Sequence, residues 1–214
     1  MELMQTDQIK RRIGIMGGTF NPVHMGHLIL AENAYEQFQL DKVLFMPSKN
    51  PPHKLHTKII ADQHRLEMVR LAVEDNPKFE ASSMELEREG ITYTKDTLKE
   101  LVKEHPDTEY YFIIGADSLF QIETWMNPSI IFDHAHIVAA SRYRISQKEI
   151  ENQILYLRNA YQAKIDILSI PNIDISSNYI RTCICDKKTI RYYVPKAVEL
   201  YIKKYELYRE REEQ

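Results

Sequence analysis

Two histidines three residues apart, His24 and His27, close the segment GGTFNPVHMGH, residues 17–27. The segment directly follows an apolar run, Ile13-Gly14-Ile15-Met16. Its adjacent glycines, Gly17 and Gly18, permit a tight backbone turn and close approach to a ligand. A helix starting just beyond them presents unpaired N–H groups and a partial positive charge. Side chains at i and i+3 share a helix face, so both imidazoles can point at one phosphate. That combination suits a nucleoside triphosphate held at the end of a strand, with Thr19, Phe20 and Gly26 beside it. The segment is not a Walker loop, because no Gly-Lys-Ser/Thr follows, nor a dinucleotide fingerprint, because the three-glycine spacing is missing.

A second anion site is legible in IDISSNYIR, residues 173–181. Ser176 or Ser177 can cap the helix that follows, and Arg181 falls one turn further with a planar fork for the same anion. Read locally, this is also an ordinary serine cap with a solvated arginine. The loop PSKNPPHK, residues 47–54, offers His53 and Lys54, stiffened by prolines. Lys54 can meet a phosphate as a point charge or remain in solvent. Trp125, the single tryptophan, sits in GADSLFQIETWMNP, where its flat face can stack on an aromatic ring or fill core. In the same segment, Asp117 after Gly115 can accept hydrogen bonds from a ribose or serve as a cap. Gly90, Thr92 and Thr94 stand at a helix start whose N–H groups can capture a carboxylate, and Thr94 as a plain N-cap is an equally good local reading.

These residues need a frame, and the apolar runs alternate with helical patterns as in βαβ units. Strands are expected at 12–16, 42–46, 79–82, EYYFIIG ending at Gly115, HIVAAS, and KIDILSI. Helices are expected at 25–38, 62–73 with Asp62 as N-cap, from Thr94 to before Pro106, 117–123, 128–132 and 147–160. Two more close the chain, 177–186 and 195–208, the second with Pro195 in its first turn. In an open parallel sheet, ligands lie beyond the carboxyl ends of the strands at the switch point. The glycine turn after the first strand and the Gly115-Ala116-Asp117 turn both belong there.

The chain has 214 residues, 43% hydrophobic and 28% charged, with a net charge of −3. Such a chain buries a sizeable core, and its charge gives no global field for nucleic acid or an anionic membrane. No apolar run approaches bilayer length and residues 1–12 lack a signal-peptide core, so a cytoplasmic protein is expected. Cys183 and Cys185 form neither a staple nor a zinc set at C-x-C spacing, and no role is assigned to them.

The first segment resembles the HxGH motif of the nucleotidylyltransferase superfamily, usually GxFDPxHxGH, with Asn21 in place of the Asp. Asn and Asp both favour turns and caps, so the same geometry is expected. Residues 173–181 resemble that superfamily's ISSTxxR motif, with Asn178 in place of Thr. Together with PSKNPPHK, EREGITYTKDTL, GADSLFQIETW and YYVPKAVELYI, in order along nearly the whole chain, they resemble the bacterial nicotinate-nucleotide adenylyltransferase family. The resemblance implies a Rossmann-like nucleotidyltransferase fold, residues 1–175 forming the α/β core and 176–214 a small helical part packed on it. It implies an enzyme of NAD biosynthesis that joins ATP and nicotinate mononucleotide to give deamido-NAD and pyrophosphate. His24, His27 and Arg181 would stabilise the reacting phosphates. Gly17, Gly18, Thr19, Phe20, Gly26, Gly115, Asp117, Ser176 and Ser177 would hold ATP. Lys54 would approach the mononucleotide phosphate, the Thr94 backbone the nicotinate carboxylate, and Trp125 the pyridine ring. Mg²⁺ is expected to come with ATP, held by substrate and water and not by protein ligands. Alternatives are a relative acting on phosphopantetheine or a CTP substrate, or a nucleotide sensor without turnover. Whether the chain forms a homo-oligomer stays open.

Overall fold

The computed structural model of the chain describes residues 11–49, 59–140, 146–171 and 173–209. Six parallel strands form one sheet in the order β3-β2-β1-β4-β5-β6: β1 (Arg11–Gly18), β2 (Lys42–Pro47), β3 (Phe79–Ala81), β4 (Thr108–Gly115), β5 (His136–Ala140) and β6 (Ile165–Leu168). The chain builds outward from β1 through β2 to β3, then returns to place β4 on the other side of β1. The switch point therefore lies between β1 and β4, where Gly18 and Gly115 end their strands.

Alternation along the strands divides the core in two, because successive side chains point to opposite faces. Met16, Val43, Phe45, Ile113 and Val138 enter one cluster, while Ile15, Met46, Phe112, Ile114 and Ile137 enter the other. The first cluster is covered by α1 (Met25–Gln37), α2 (Asp62–Val73), α8 (Ser177–Cys185) and α9 (Lys196–Lys204). The second is covered by α4 (Thr94–Glu104), α5 (Ala116–Gln121), α6 (Pro128–His134) and α7 (Gln147–Tyr161). A short α3 (Met84–Glu87) and a 3-10 turn at Ile122–Thr124 complete the elements. The doubly wound parallel arrangement is the one expected from the sequence.

Four local expectations change. Asp62 is the first residue of α2 and Ala61 its N-cap; the Asp62 carboxylate is taken by the Arg65 guanidinium and not by a backbone amide. Tyr93, and not Thr94, is the N-cap of α4, and Pro195 caps α9 from outside its first turn. The last helix ends at Lys204, and the chain then turns back through Glu206 and Tyr208, both at positive φ.

Candidate active site

The glycine pair does not make the turn. β1 continues through both residues, with Gly17 opposite Met46 and Gly18 opposite Pro47. The left-handed residue of the segment is Phe20, at φ 47°, a conformation that costs a non-glycine residue about 1–2 kcal/mol. Phe20 is 2% exposed, edge-on to the His27 ring at 5.0 Å and tilted against Phe45 at 6.0 Å. Burying a phenylalanine contributes about 1.5–3 kcal/mol, enough to offset the backbone cost. Gly18 matters for a different reason: a Cβ there would stand 3.2 Å from the Phe20 ring, a tight contact that the buried ring would have to yield to. A Cβ on Gly17 would make only ordinary contact with Phe112.

From Phe20 the chain passes through a cis Asn21–Pro22 peptide to His24, the extended N-cap of α1. His24 therefore stands outside the helix and His27 at its third position. Their rings nonetheless stack, with centroids 3.7 Å apart and planes at 24°. The His24 N–H donates to His27 Nδ1 at 3.2 Å, which fixes the His27 ring by its inner nitrogen. Gly26 makes the stack fit, since a Cβ would lie 3.1 Å from His24 Nδ1. His24 is buried and His27 half-buried, so the two imidazoles are paired but not equivalent.

The second motif closes on this loop from the far end of the sequence. Ser176 is the cap of α8, its hydroxyl accepting the Tyr179 N–H at 3.1 Å. The Ser177 hydroxyl donates instead to the Pro22 carbonyl at 2.8 Å. Arg181 donates to the Asn21 carbonyl at 3.0 Å and to Asn178 Oδ1 at 3.2 Å. Asn178 thus orients the guanidinium from the position where threonine is usual. The Met25 N–H donates to the Tyr193 carbonyl, tying the first turn of α1 to the segment before α9. Arg181 is thus brought from the far end of the sequence to the loop that leads into His24 and His27.

Two contributors are not evident in the sequence. Arg65, 1% exposed, donates to the Thr19 carbonyl at 2.6 Å and the Ser48 carbonyl at 2.8 Å, and pairs with Asp62. It clamps together the chain leaving β1 and the chain leaving β2. Asp62 stays exposed enough for solvent to screen the ion pair, so the clamp rests on the two carbonyl bonds. A signal was available: Arg65 occupies the apolar stripe of α2 with Met68, Val69, Ala72 and Val73, a place for a charge only if it is paired. Tyr208 is the other. Its hydroxyl donates to Asn21 Oδ1 at 3.0 Å, and no pattern links residues so far apart.

The opposite flank, at the start of α4, is more exposed. Thr94 begins α4 half-buried, next to the N-cap, where helix N–H groups face outward. The Thr92 hydroxyl donates to the Lys49 carbonyl at 2.6 Å, and Lys49 Nζ donates to the Arg88 carbonyl at 2.7 Å. Arg88 also reaches Thr97 and Glu100. Thr97 donates to Glu85, whose carboxyl is pushed above the usual carboxylate range by burial, against the pull of that hydroxyl. Trp125 follows the 3-10 turn and meets Phe112 edge-on, with centroids 6.1 Å apart, while staying half-buried. Gly115 caps α5, and Asp117 is exposed in its first turn. His53 and Lys54 lie outside the described residues.

The comparisons with known proteins agree with this frame. Residues 15–183 match the cytidylyltransferase-like family, which places the chain in that class. The chain is 49% identical over 198 residues to the probable nicotinate-nucleotide adenylyltransferase of Lachnoclostridium phytofermentans, covering 92% of this chain and 99% of that one. It is 43% identical over 203 residues to the counterpart of the same name in Thermoanaerobacter sp., covering 94% and 96%. The chain belongs to the nicotinate-nucleotide adenylyltransferase family. Among solved structures, nicotinic acid mononucleotide adenylyltransferase of Plasmodium falciparum complexed with NaAD shares the fold, with TM-score 0.75 at 20% identity over 92% of this chain and 97% of that one.

Proposed function

We propose that the protein joins ATP and nicotinate mononucleotide to give deamido-NAD and pyrophosphate. The reading is supported by family membership and by one observation above all: Ser177 and Arg181 of α8 are hydrogen-bonded to the loop that carries His24 and His27. An oxygen of the mononucleotide phosphate attacks the α-phosphorus of ATP. A P–O bond forms, the bond to the β-phosphate bridging oxygen breaks, and pyrophosphate leaves with the electron pair. The attacking phosphate is already anionic near neutral pH, so no strong base is needed.

The chain contributes position and charge stabilisation. Two anions must approach, and at 4 Å their repulsion is about 4 kcal/mol per pair of unit charges at an effective dielectric constant near 20. His24, His27 and Arg181 counter charge on the α-phosphate and the leaving group. Gly17, Gly18, Thr19, Phe20 and Gly26 shape the loop beside the phosphates, with Ser176 and Ser177 at the start of α8. Gly115 and Asp117 are assigned to the ATP ribose, Thr94 to the nicotinate carboxylate, Trp125 to the pyridine ring and Lys54 to the mononucleotide phosphate. Mg²⁺ is assigned to the ATP it arrives with, where it screens the phosphates. Among the described residues no three His, Cys, Asp or Glu side chains form a group that could hold a metal ion. We divide the chain into an α/β core, 1–175, and a helical part, 176–214, and assign it to the cytoplasm. Among the described residues no helix is long and apolar enough to cross a membrane.

Pyrophosphate release tests the reading, with ATP offered against nicotinate mononucleotide, nicotinamide mononucleotide and phosphopantetheine. Release is expected to be fastest with nicotinate mononucleotide. Preference for phosphopantetheine, or ATP binding with no release against any acceptor, overturns it.

A further inference from the structure

The turn that follows α9 brings Tyr208 back to the loop between β1 and α1. Its hydroxyl donates to Asn21 Oδ1 at 3.0 Å, across 187 residues of sequence. The same Oδ1 accepts the Ile60 N–H at 3.4 Å, which fixes the orientation of the amide. The other end of Asn21, its carbonyl, receives Arg181. Tyr208 is itself held at its backbone, where its carbonyl accepts the Cys185 thiol of α8 at 3.2 Å. Asn21, Arg181 and Tyr208 thus form a closed set in which each element fixes the next. Burial pushes the Tyr208 phenol far above its ordinary range, against the pull of the Arg181 and Arg65 guanidiniums. The hydroxyl therefore keeps its proton at neutral pH and remains a donor.

We propose that Tyr208 is a positioning residue for the ATP site, its hydroxyl locking Asn21 so that the Asn21 carbonyl presents the Arg181 guanidinium to the polyphosphate. On this proposal Tyr208 acts through Asn21 and Arg181 and not by contact with a reactant. The claim rests on the adenylyl-transfer reading for its kinetic form and goes beyond it by naming what holds the phosphate-binding arginine. It also gives position 21 a definite requirement: a side-chain acceptor for the phenol. Aspartate supplies one as well as asparagine does, and alanine does not.

The test is Tyr208→Phe in the full chain, which removes one oxygen and keeps the ring. ATP affinity is measured by calorimetry without the second substrate, and both KM values and kcat by pyrophosphate release. Expected are an approximately fivefold loss of ATP affinity, the size of one net hydrogen bond, and a lowered kcat, with KM for the mononucleotide unchanged. In an Arg181→Lys background the same substitution is expected to change ATP affinity less than twofold, because its effect passes through the guanidinium. Asn21→Asp is expected to retain ATP affinity within twofold, and Asn21→Ala to match Tyr208→Phe. Unchanged ATP affinity in Tyr208→Phe overturns the proposal, as does an equal loss in both Arg181 backgrounds. A lowered melting temperature with every binding constant intact also overturns it and leaves Tyr208 a plain packing residue. Should the wild type bind ATP but release no pyrophosphate, the function falls while the calorimetric arm still decides the role of Tyr208.

Discussion

The two flanks of the switch point are built differently. On the phosphate side, the loop from Thr19 to His24 is held from distant parts of the chain: Arg65 on Thr19, Ser177 on Pro22, and Arg181 and Tyr208 on Asn21. On the α4 side some bonds are local, Arg88 to Thr97 and Thr97 to Glu85, while Thr92 reaches back to Lys49. The first flank is mostly buried, while the second keeps Thr94 and Trp125 half-buried and Asp117 exposed. Under the proposed function, the difference would separate two tasks. A site that must stabilise transferring charge benefits from dipoles and cations fixed in advance, because reorganising them would add to the barrier. A site that selects an acceptor needs a few correctly placed donors and a stacking surface, which local loops can supply.

Substitutions can sharpen or break that contrast. The largest effect is expected for His27→Ala, since loss of one charge-stabilising donor commonly costs about 10²- to 10³-fold in kcat. The far-ultraviolet circular dichroism should be unchanged; turnover near the wild-type value would remove His27 from the reaction. A smaller, differently placed effect is expected for Trp125→Ala. Its KM for the mononucleotide should rise about three- to tenfold, as for the loss of one aromatic stacking contact, with the ATP constant unmoved. If the ATP constant alone moved, the assignment of the two flanks would be reversed.

The smallest effect concerns stability. The raised Glu85 pKa means that the folded state favours the protonated carboxyl. Its contribution is therefore full below the ordinary carboxylate pKa and is lost as pH rises through the folded-state value. Glu85→Gln mimics the protonated form and still offers an acceptor to Thr97. Thermal melts should show a gain at neutral pH that fades toward pH 4. A gain independent of pH would discard burial of the carboxyl as its cause.

The sheet and most helices were legible because they rest on local rules. Continuous apolar runs marked β1, β2 and β4, and the proline at 106 marked the end of α4. The motif residues His24, His27, Ser176 and Arg181 were legible by type and spacing, but their geometry was not. Glycine's freedom pointed to Gly17 and Gly18 for the turn, whereas Phe20 takes the left-handed conformation because its ring is buried against His27 and Phe45. Both His24 and His27 were expected on one helix face; instead a cap residue and a third-position residue stack. The neighbouring serines could not be told apart locally, since either fits a cap, and only the Pro22 carbonyl distinguishes Ser177. Arg65 and Tyr208 escaped because their partners are set by tertiary packing.

The contacts of Arg181 and Tyr208 also bear on synthesis. Translation makes the histidine loop and its Arg65 clamp early, but Ser177, Arg181 and Tyr208 lie in the final fifth of the chain. A nascent polypeptide on the ribosome can pair β1 with β2 and bury Phe20 long before α8 exists. It cannot fasten the loop to Ser177, Arg181 and Tyr208 until that last stretch clears the exit tunnel, so products of premature termination would carry the histidine motif without its guanidinium.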